Sequence, residues 1–227
     1  MIEVRDVEVQ FDGHPVLRGV DVTLTERRIA VIGANGSGKS TFARLLNGLL
    51  LPTTGTVTVD GFDTREHGRE VRKRVGFVFQ DPDLQIVMPT VAEDVAFGLK
   101  HQGVPKAEIA ERVAAALERF GLAGLADRPA HLLSGGEKQL LAIASVTVLE
   151  PACIVFDEPT TALDLRNRRR TWAVVASLPQ QAVVVTHDLE AITGFDRALL
   201  FDGGRIVFDG PPAAAVEEYL ALLDEPL

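Results

Sequence analysis

Eight consecutive residues, Gly33-Ala34-Asn35-Gly36-Ser37-Gly38-Lys39-Ser40, combine spaced glycines with Lys-Ser in the pattern of a phosphate loop. Glycines at these positions let successive backbone N–H groups turn inward around a polyphosphate, at a helix start whose dipole favours anions. Lys39 would bring a cation to the phosphates and Ser40 a hydroxyl ligand for Mg²⁺. A plain glycine turn that caps a helix has no need of Gly-Lys-Ser in that order. A second candidate, Cys153-Ile154-Val155-Phe156-Asp157-Glu158, is an apolar strand that ends in two adjacent carboxylates. Such a strand end can aim Asp157 at the nucleotide metal and set Glu158 beside the terminal phosphate to polarise a water. Taken alone it reads equally as a strand followed by an acidic turn; the phosphate loop tips the balance. A third, Leu133-Ser134-Gly135-Gly136-Glu137, opens a helix with Ser at its cap and an early acid that suits the helix dipole. In isolation it is an ordinary capped helix.

The elements that must hold these residues are visible in the hydrophobic pattern. Residues 1–25 alternate (Ile2, Val4, Val7, Val9, Phe11, then Val16, Val20, Val22, Leu24) around Asp12-Gly13, which predicts antiparallel strands joined by a turn. Arg28–Ile32 reads as a buried strand and Ser40–Leu50 as the helix that follows it, so the phosphate loop falls where a strand–loop–helix unit requires it. Further strands are predicted at Thr56–Val59, Val75–Phe79, Cys153–Phe156 and Ala182–Val185. A hairpin pairs Ala198–Phe201 with Ile206–Phe208 across Asp202-Gly203-Gly204. From Thr90 to Glu150 the period becomes helical: Ile109, Val113, Leu117 and Phe120 share a face opposite Glu108, Glu111, Arg112 and Glu118. This predicts a helical lobe inserted in an α/β core, including a helix over 137–149. Ala213–Leu223 reads as a closing amphipathic helix.

Composition bounds the function. The 227 residues are 46% hydrophobic and 24% charged, ordinary for a folded globular chain. The formal net charge of −9 repels phosphate backbones, so nucleic acid is not expected as a partner. The run Arg166, Arg168, Arg169, Arg170 before Trp172 reads as a solvated helix face. The single cysteine, Cys153, excludes an intramolecular disulfide and suits a reducing compartment. No apolar run reaches the length of a membrane span, and Met1–Arg5 leads into strand-like alternation rather than a signal core. These features predict a cytoplasmic chain that crosses no membrane itself.

The phosphate loop, Gln80, Ser134-Gly135-Gly136, Asp157-Glu158, Leu163-Asp164 and His187 together resemble the ATP-binding-cassette family in order and spacing, over essentially the whole sequence. The resemblance implies one nucleotide-binding domain over 1–227, an α/β phosphate-loop NTPase core. Its mixed sheet would carry an antiparallel β subdomain, with an α-helical signature subdomain inserted at about 90–150. It implies ATP and Mg²⁺ as cofactors, with Asn35, Gly36, Ser37, Gly38, Lys39, Ser40 and Thr41 on the nucleotide and Phe11 stacked on adenine. Ser40, Gln80 and Asp157 would hold Mg²⁺, and Glu158, His187 and Gln80 would serve hydrolysis. It also implies head-to-tail pairing of two cassettes, as a homodimer or with a second ATPase. Ser134, Gly135, Gly136 and Glu137 would then close on the nucleotide held by the other cassette, next to Asp164 of the Leu163-Asp164 loop.

Three positions depart from the family's usual residues: Glu137, Leu140 and Thr161 stand where Gln, Arg and Ser are commoner. Lys39 and Ser134 lie 95 residues apart with no heptad run between them, unlike DNA-repair cassettes, and a lone cassette is unlike most ribosome-associated ones. A membrane transporter is therefore the expected setting, with a soluble cassette acting on nucleic acid or ribosomes as the alternative. Phe79-Gln80-Asp81-Pro82-Asp83-Leu84-Gln85 and Val91–Leu99 are similar to the energy-coupling-factor group, whose ATPases serve vitamin and metal uptake. The last strands lie near the end of the sequence, and Ser134–Leu141 looks most like the biotin-uptake ATPases, with cobalt or nickel import as the runner-up. The implied partners are a transmembrane coupling subunit and a substrate-binding membrane subunit, which would place the chain on the inner face of the membrane. The apolar residues Leu84, Ile86, Val87 and Met88 suggest where a membrane-subunit helix would dock.

Overall fold

The structure, a computed structural model, describes residues 1–224. Four strands form one antiparallel sheet in the order β2-β1-β4-β5: β1 (Ile2–Phe11), β2 (His14–Leu24), β4 (Thr54–Val59) and β5 (Phe62–Asp63). Six form a second sheet in the order β10-β9-β3-β8-β7-β6: β3 (Arg28–Gly33), β6 (Val75–Val78), β7 (Cys153–Asp157), β8 (Gln181–Val185), β9 (Arg197–Asp202) and β10 (Arg205–Gly210). Within it β9, β3, β8, β7 and β6 run parallel and β10 is an antiparallel edge. The expected mixed sheet with an antiparallel β unit is thus observed.

Strand periodicity divides the core into layers. Ile29 and Val31 of β3 point to one side, where Phe42 and Leu45 of α1 (Lys39–Leu45) fill the space beneath the antiparallel sheet's Val4, Val22 and Val57. Ala30 and Ile32 point to the other side, against Ala215 of α7 (Pro212–Asp224). A third cluster joins Val78, Ile154 and Phe156 to the helical segment between β6 and β7, made of α3 (Val91–His101), α4 (Lys106–Arg119) and α5 (Gly135–Thr147). The face predicted for α4 is the buried one, with Ala116 added to Ile109, Val113 and Leu117.

Two helix extents differ from expectation. α1 stops at Leu45 rather than Leu50 because Gly48 takes a left-handed φ of 69° and the Asn47 side chain accepts the Leu49 N–H, drawing the chain into a turn. α5 starts two residues before 137, since Ser134 and Glu137 form a reciprocal capping box that lets the helix begin directly after the cap. α2 (Gly68–Arg74) is short and strongly basic, with Val71 its sole buried side chain, and so leaves little periodic signal. α6 (Leu165–Ser177) carries the arginine run on its exposed face, as expected. Arg28 fastens the end of α6 to β3: its guanidinium donates to the carbonyls of Ala176 (3.2 Å), Gln180 (2.7 Å) and Leu178. A buried cation thereby satisfies the orphan acceptors of a helix C-terminus.

Candidate functional site

Parallel strands all deliver their carboxyl ends to one edge of the sheet, and at that edge loops can form a ligand crevice. β3 ends in the phosphate loop, β6 leads to Gln80, β7 ends in Asp157-Glu158 and β8 leads through Thr186 to His187. A cavity of about 680 Å³ opens there, lined by the loop from Gly33 to Thr41 apart from Ser37, and by Gln80, Glu158 and His187. Residues as far apart in sequence as Gly33 and His187 therefore meet because of the strand order β3-β8-β7-β6.

The loop's shape needs its glycines at two positions. Gly33 has φ 138°, and a Cβ there would strike the carbonyl of Phe201 on β9. Gly38 has φ 103° at the cap of α1, and a Cβ there would lie 2.6 Å from Leu17. Lys39 folds over the loop, its ammonium donating to the carbonyls of Gly33 (2.9 Å) and Ala34 (2.7 Å). Burial pushes this lysine's pKa below the ordinary value, and the nearby carboxylates Glu158 and Asp157 oppose the shift.

Behind Lys39, the Ser40 hydroxyl donates to Asp157 Oδ1 at 2.8 Å. Burial raises the Asp157 pKa above that of an ordinary carboxyl, while the Ser40 hydrogen bond and Arg44, 3.8 Å away, act against it. A hydroxyl and a carboxylate side by side, with Gln80 on the same cavity, make a hard-oxygen set of the kind that suits Mg²⁺ completed by substrate phosphates. Among the described residues no cluster of three or more His, Cys, Asp or Glu side chains could hold a metal without such help.

Glu158 stands in front of this pair with a left-handed φ of 51°. Its backbone N–H donates to Val185 O, which fixes the strained residue to the end of β8. Its Oε2 accepts from Thr161 Oγ1 at 2.6 Å and lies 2.7 Å from His187 Nδ1. The carboxylate is therefore oriented from two sides while its edge faces the cavity. Thr161, one of the three departures from the family's usual residues, thus lines the cavity and holds Glu158.

The remaining expected residues are placed elsewhere. Ser134, Gly135, Gly136, Glu137 and Asp164 are not among the cavity's lining residues. Ser134 caps α5, its hydroxyl and N–H both donating to Glu137 Oε2 at 2.7 Å, and these bonds hold Glu137 below the usual carboxylate pKa. Glu137 in place of Gln therefore has a physical account as the acid of the capping box. Asp164 caps α6 by accepting the Asn167 N–H at 2.9 Å and its side-chain amide at 2.8 Å. Gly136 packs so closely on that Asn167 side chain that a Cβ would overlap it. The signature and Asp164 thus share one patch, joined through Asn167, apart from the cavity. Phe11 is 48% exposed at the end of β1, outside both the core and the cavity lining. Sequence reasoning missed Tyr219 of α7, Val16 of β2 and Arg44; the first two line the cavity from elements carrying no phosphate-loop motif.

Residues 17–161 match the family model for the ABC transporter. A Deinococcus radiodurans protein, whose name places it among ABC transporter ATP-binding proteins, is 57% identical over 219 residues, covering 96% of this chain and 97% of the relative. The biotin transport ATP-binding protein BioM of Rhizobium etli is 50% identical over 218 residues, covering 96% and 97%. The energy-coupling factor transporter ATP-binding protein EcfA1 of Symbiobacterium thermophilum is 48% identical over 203 residues, covering 86% and 71%. Among solved structures, cbiO1 from Clostridium perfringens, part of the ABC transporter complex cbiONQ, superposes with a TM-score of 0.84 at 32% identity, covering 98% of this chain and 93% of that one. A dimeric ATP-binding cassette in a post-hydrolysis state with ADP and Pi gives a TM-score of 0.81 at 26% identity over 93% of this chain and 99% of that one. With the phosphate loop, Glu158 and His187 meeting at one cavity, the chain belongs to the ABC transporter family as one of its ATP-binding, ATP-hydrolysing cassettes.

Proposed function

We propose that this cassette powers an energy-coupling-factor type importer and that biotin is its first candidate cargo. The family's ATPase role and the relatives named for biotin transport and energy-coupling factor support that reading. Cobalt import is the second reading, favoured by a cobalt import relative at 44% identity. The observation that carries the mechanism is the division of the expected residues into two groups: a cavity lined by Lys39, Ser40, Gln80, Glu158 and His187, with Asp157 bonded to Ser40 behind it, and a separate patch with Ser134, Gly136 and Asp164.

In this reading the loop N–H groups and Lys39 bind the ATP phosphates, and Phe11 receives the adenine on its exposed ring. Ser40, Asp157 and Gln80 hold Mg²⁺, which neutralises charge on the phosphates when bound. Glu158 orients a water toward the terminal phosphate, and His187 and Thr161 keep its carboxylate from turning away. One group is short of a complete site, because nothing on the chain's own Ser134 side reaches its cavity. A second cassette placed head to tail would supply Ser134 and Gly136 there, with its α5 N-terminus facing the phosphate. The dimeric cassette structure with ADP and Pi supports the pairing of two cassettes by analogy.

Among the described residues no helix is long and apolar enough to cross a membrane. Membrane attachment would come through a coupling subunit seated on the lobe side, where Leu84 and Val87 are 73% and 62% exposed, and through a substrate-binding membrane subunit. Ile86 packs instead under the lobe and Met88 is half-buried, so the docking surface is narrower than the four apolar residues suggested. Uptake of labelled biotin and of Co²⁺ by vesicles containing the chain with its membrane subunits separates the two readings. ATP-dependent biotin uptake is expected; uptake of Co²⁺ alone would transfer the assignment to the second reading.

A further inference from the structure

His187 is placed by its neighbours along the chain rather than by contacts of its own. Its side chain is 61% exposed, and among the described residues its one polar contact is Nδ1 to Glu158 Oε2 at 2.7 Å. Residues 187–196, which lead from β8 to β9, form neither helix nor strand. A loop of this kind lacks a regular ladder of backbone bonds, so side chains must hold it in shape.

Asp188 provides that hold within the loop. Its N–H donates to Thr186 Oγ1 at 3.0 Å, and its Oδ1 accepts the Ala191 N–H at 3.3 Å. The turn that displays His187 is thereby closed on both flanks. Its other oxygen is held from α6: the Trp172 indole N–H donates to Asp188 Oδ2 at 3.1 Å, and Arg168, one helical turn earlier, lies 4.0 Å from the same atom. The indole ring also meets Phe195 edge-on, with 6.2 Å between ring centroids. One side chain thus grips the loop near both of its ends. Phenylalanine at 172 would keep a ring against Phe195 but has no N–H to donate.

We infer that Trp172 and Asp188 are positioning residues for His187. The indole bond to Asp188 fixes the turn from which His187 reaches Glu158, so α6 sets the aim of the carboxylate that orients water. This inference rests on the proposed roles of His187 and Glu158 in hydrolysis. Neither Trp172 nor Asp188 lines the nucleotide cavity, so their loss should slow hydrolysis without weakening ATP binding.

Single-turnover hydrolysis by the full chain, which resolves slow variants, is measured with ATP affinity for the parent, Trp172→Phe, His187→Ala and the double variant. Trp172→Phe should lower the rate about fivefold or more, as expected for loss of a hydrogen bond to a charged group, with ATP affinity within about twofold of the parent. In the His187→Ala background the same substitution should change the rate by less than about twofold, because a contact that acts through His187 has nothing left to aim. Asp188→Asn gives an independent cycle should Trp172→Phe prove unfolded. Trp172 is the chain's single tryptophan, so a shifted emission in Asp188→Asn reports that the indole contact has changed. Equal losses with and without His187 would make the contact structural only and overturn the inference, leaving the role of His187 standing. An unchanged rate in folded Trp172→Phe would overturn it as well. Full turnover in His187→Ala would overturn the reading of His187 and this inference with it.

Discussion

At the residue scale the site is organised by who holds Glu158. Its carboxylate is aimed by Thr161 and His187, and its backbone by Val185. Glu158→Gln keeps the shape and hydrogen-bonding reach but loses the charge, so ATP binding should persist while turnover drops about 10²-fold or more. Single-turnover hydrolysis with bound nucleotide measured separately checks this, and unchanged turnover would remove Glu158 from the mechanism. Thr161→Val should give a smaller loss in turnover with no change in ATP affinity, since it removes one of two orienting contacts. The phosphate loop, the carboxylate pair and His187 could be picked out in sequence because each sits at a strand end that an apolar run announces. Thr161's grip on Glu158 could not, because it depends on the left-handed turn at Glu158 and Ala162, two residues with no glycine to mark it.

At the element scale, α5 depends on a cap that is partly ionic. Glu137 has its pKa held below the unfolded value of 4.5 by Ser134. The contribution of this group is therefore fully present above about pH 4.5 and is lost as pH falls through the lower folded value. Acidification below that point should fray the N-terminal turn of α5, read as faster amide exchange at 135–138, and Glu137→Gln should remove that acid dependence. The proposed docking position lies in the loop before α3. Val87→Asp puts a charge on the exposed apolar position and should abolish assembly with the membrane subunit without altering the melting temperature by more than a few degrees. Normal assembly of that variant would move the docking surface elsewhere. Helix existence was readable here from periodicity, as α4 shows, whereas helix ends were not: α1 is cut short by a side-chain turn at Asn47, which periodicity does not register.

At the scale of the whole molecule, three cores share one six-stranded sheet, and Cys153 sits fully inside one of them on β7. Burial pushes its thiol up to about 12, so the native chain should resist alkylation, and its labelling rate should track global unfolding. Rapid labelling under native conditions would mean that the sheet opens locally around β7. The overall α/β plan follows from the alternation of apolar strands and helices. The strand order that brings Gln80 and His187 to Lys39 is a tertiary outcome that local pattern does not specify; the cassette resemblance implied only that these residues serve one nucleotide site. The largest claim is that each ATP site is completed by the other copy. Lys39→Ala disables the cavity and Ser134→Arg disables the patch, so in a mixed dimer one site carries both defects and the other carries neither. Hydrolysis measured across mixtures of these two inactive variants, with mixed dimers quantified by native mass spectrometry, is therefore predicted to rise to a maximum at equal proportions; mixtures that contain mixed dimers and stay as inactive as either parent would contradict the account.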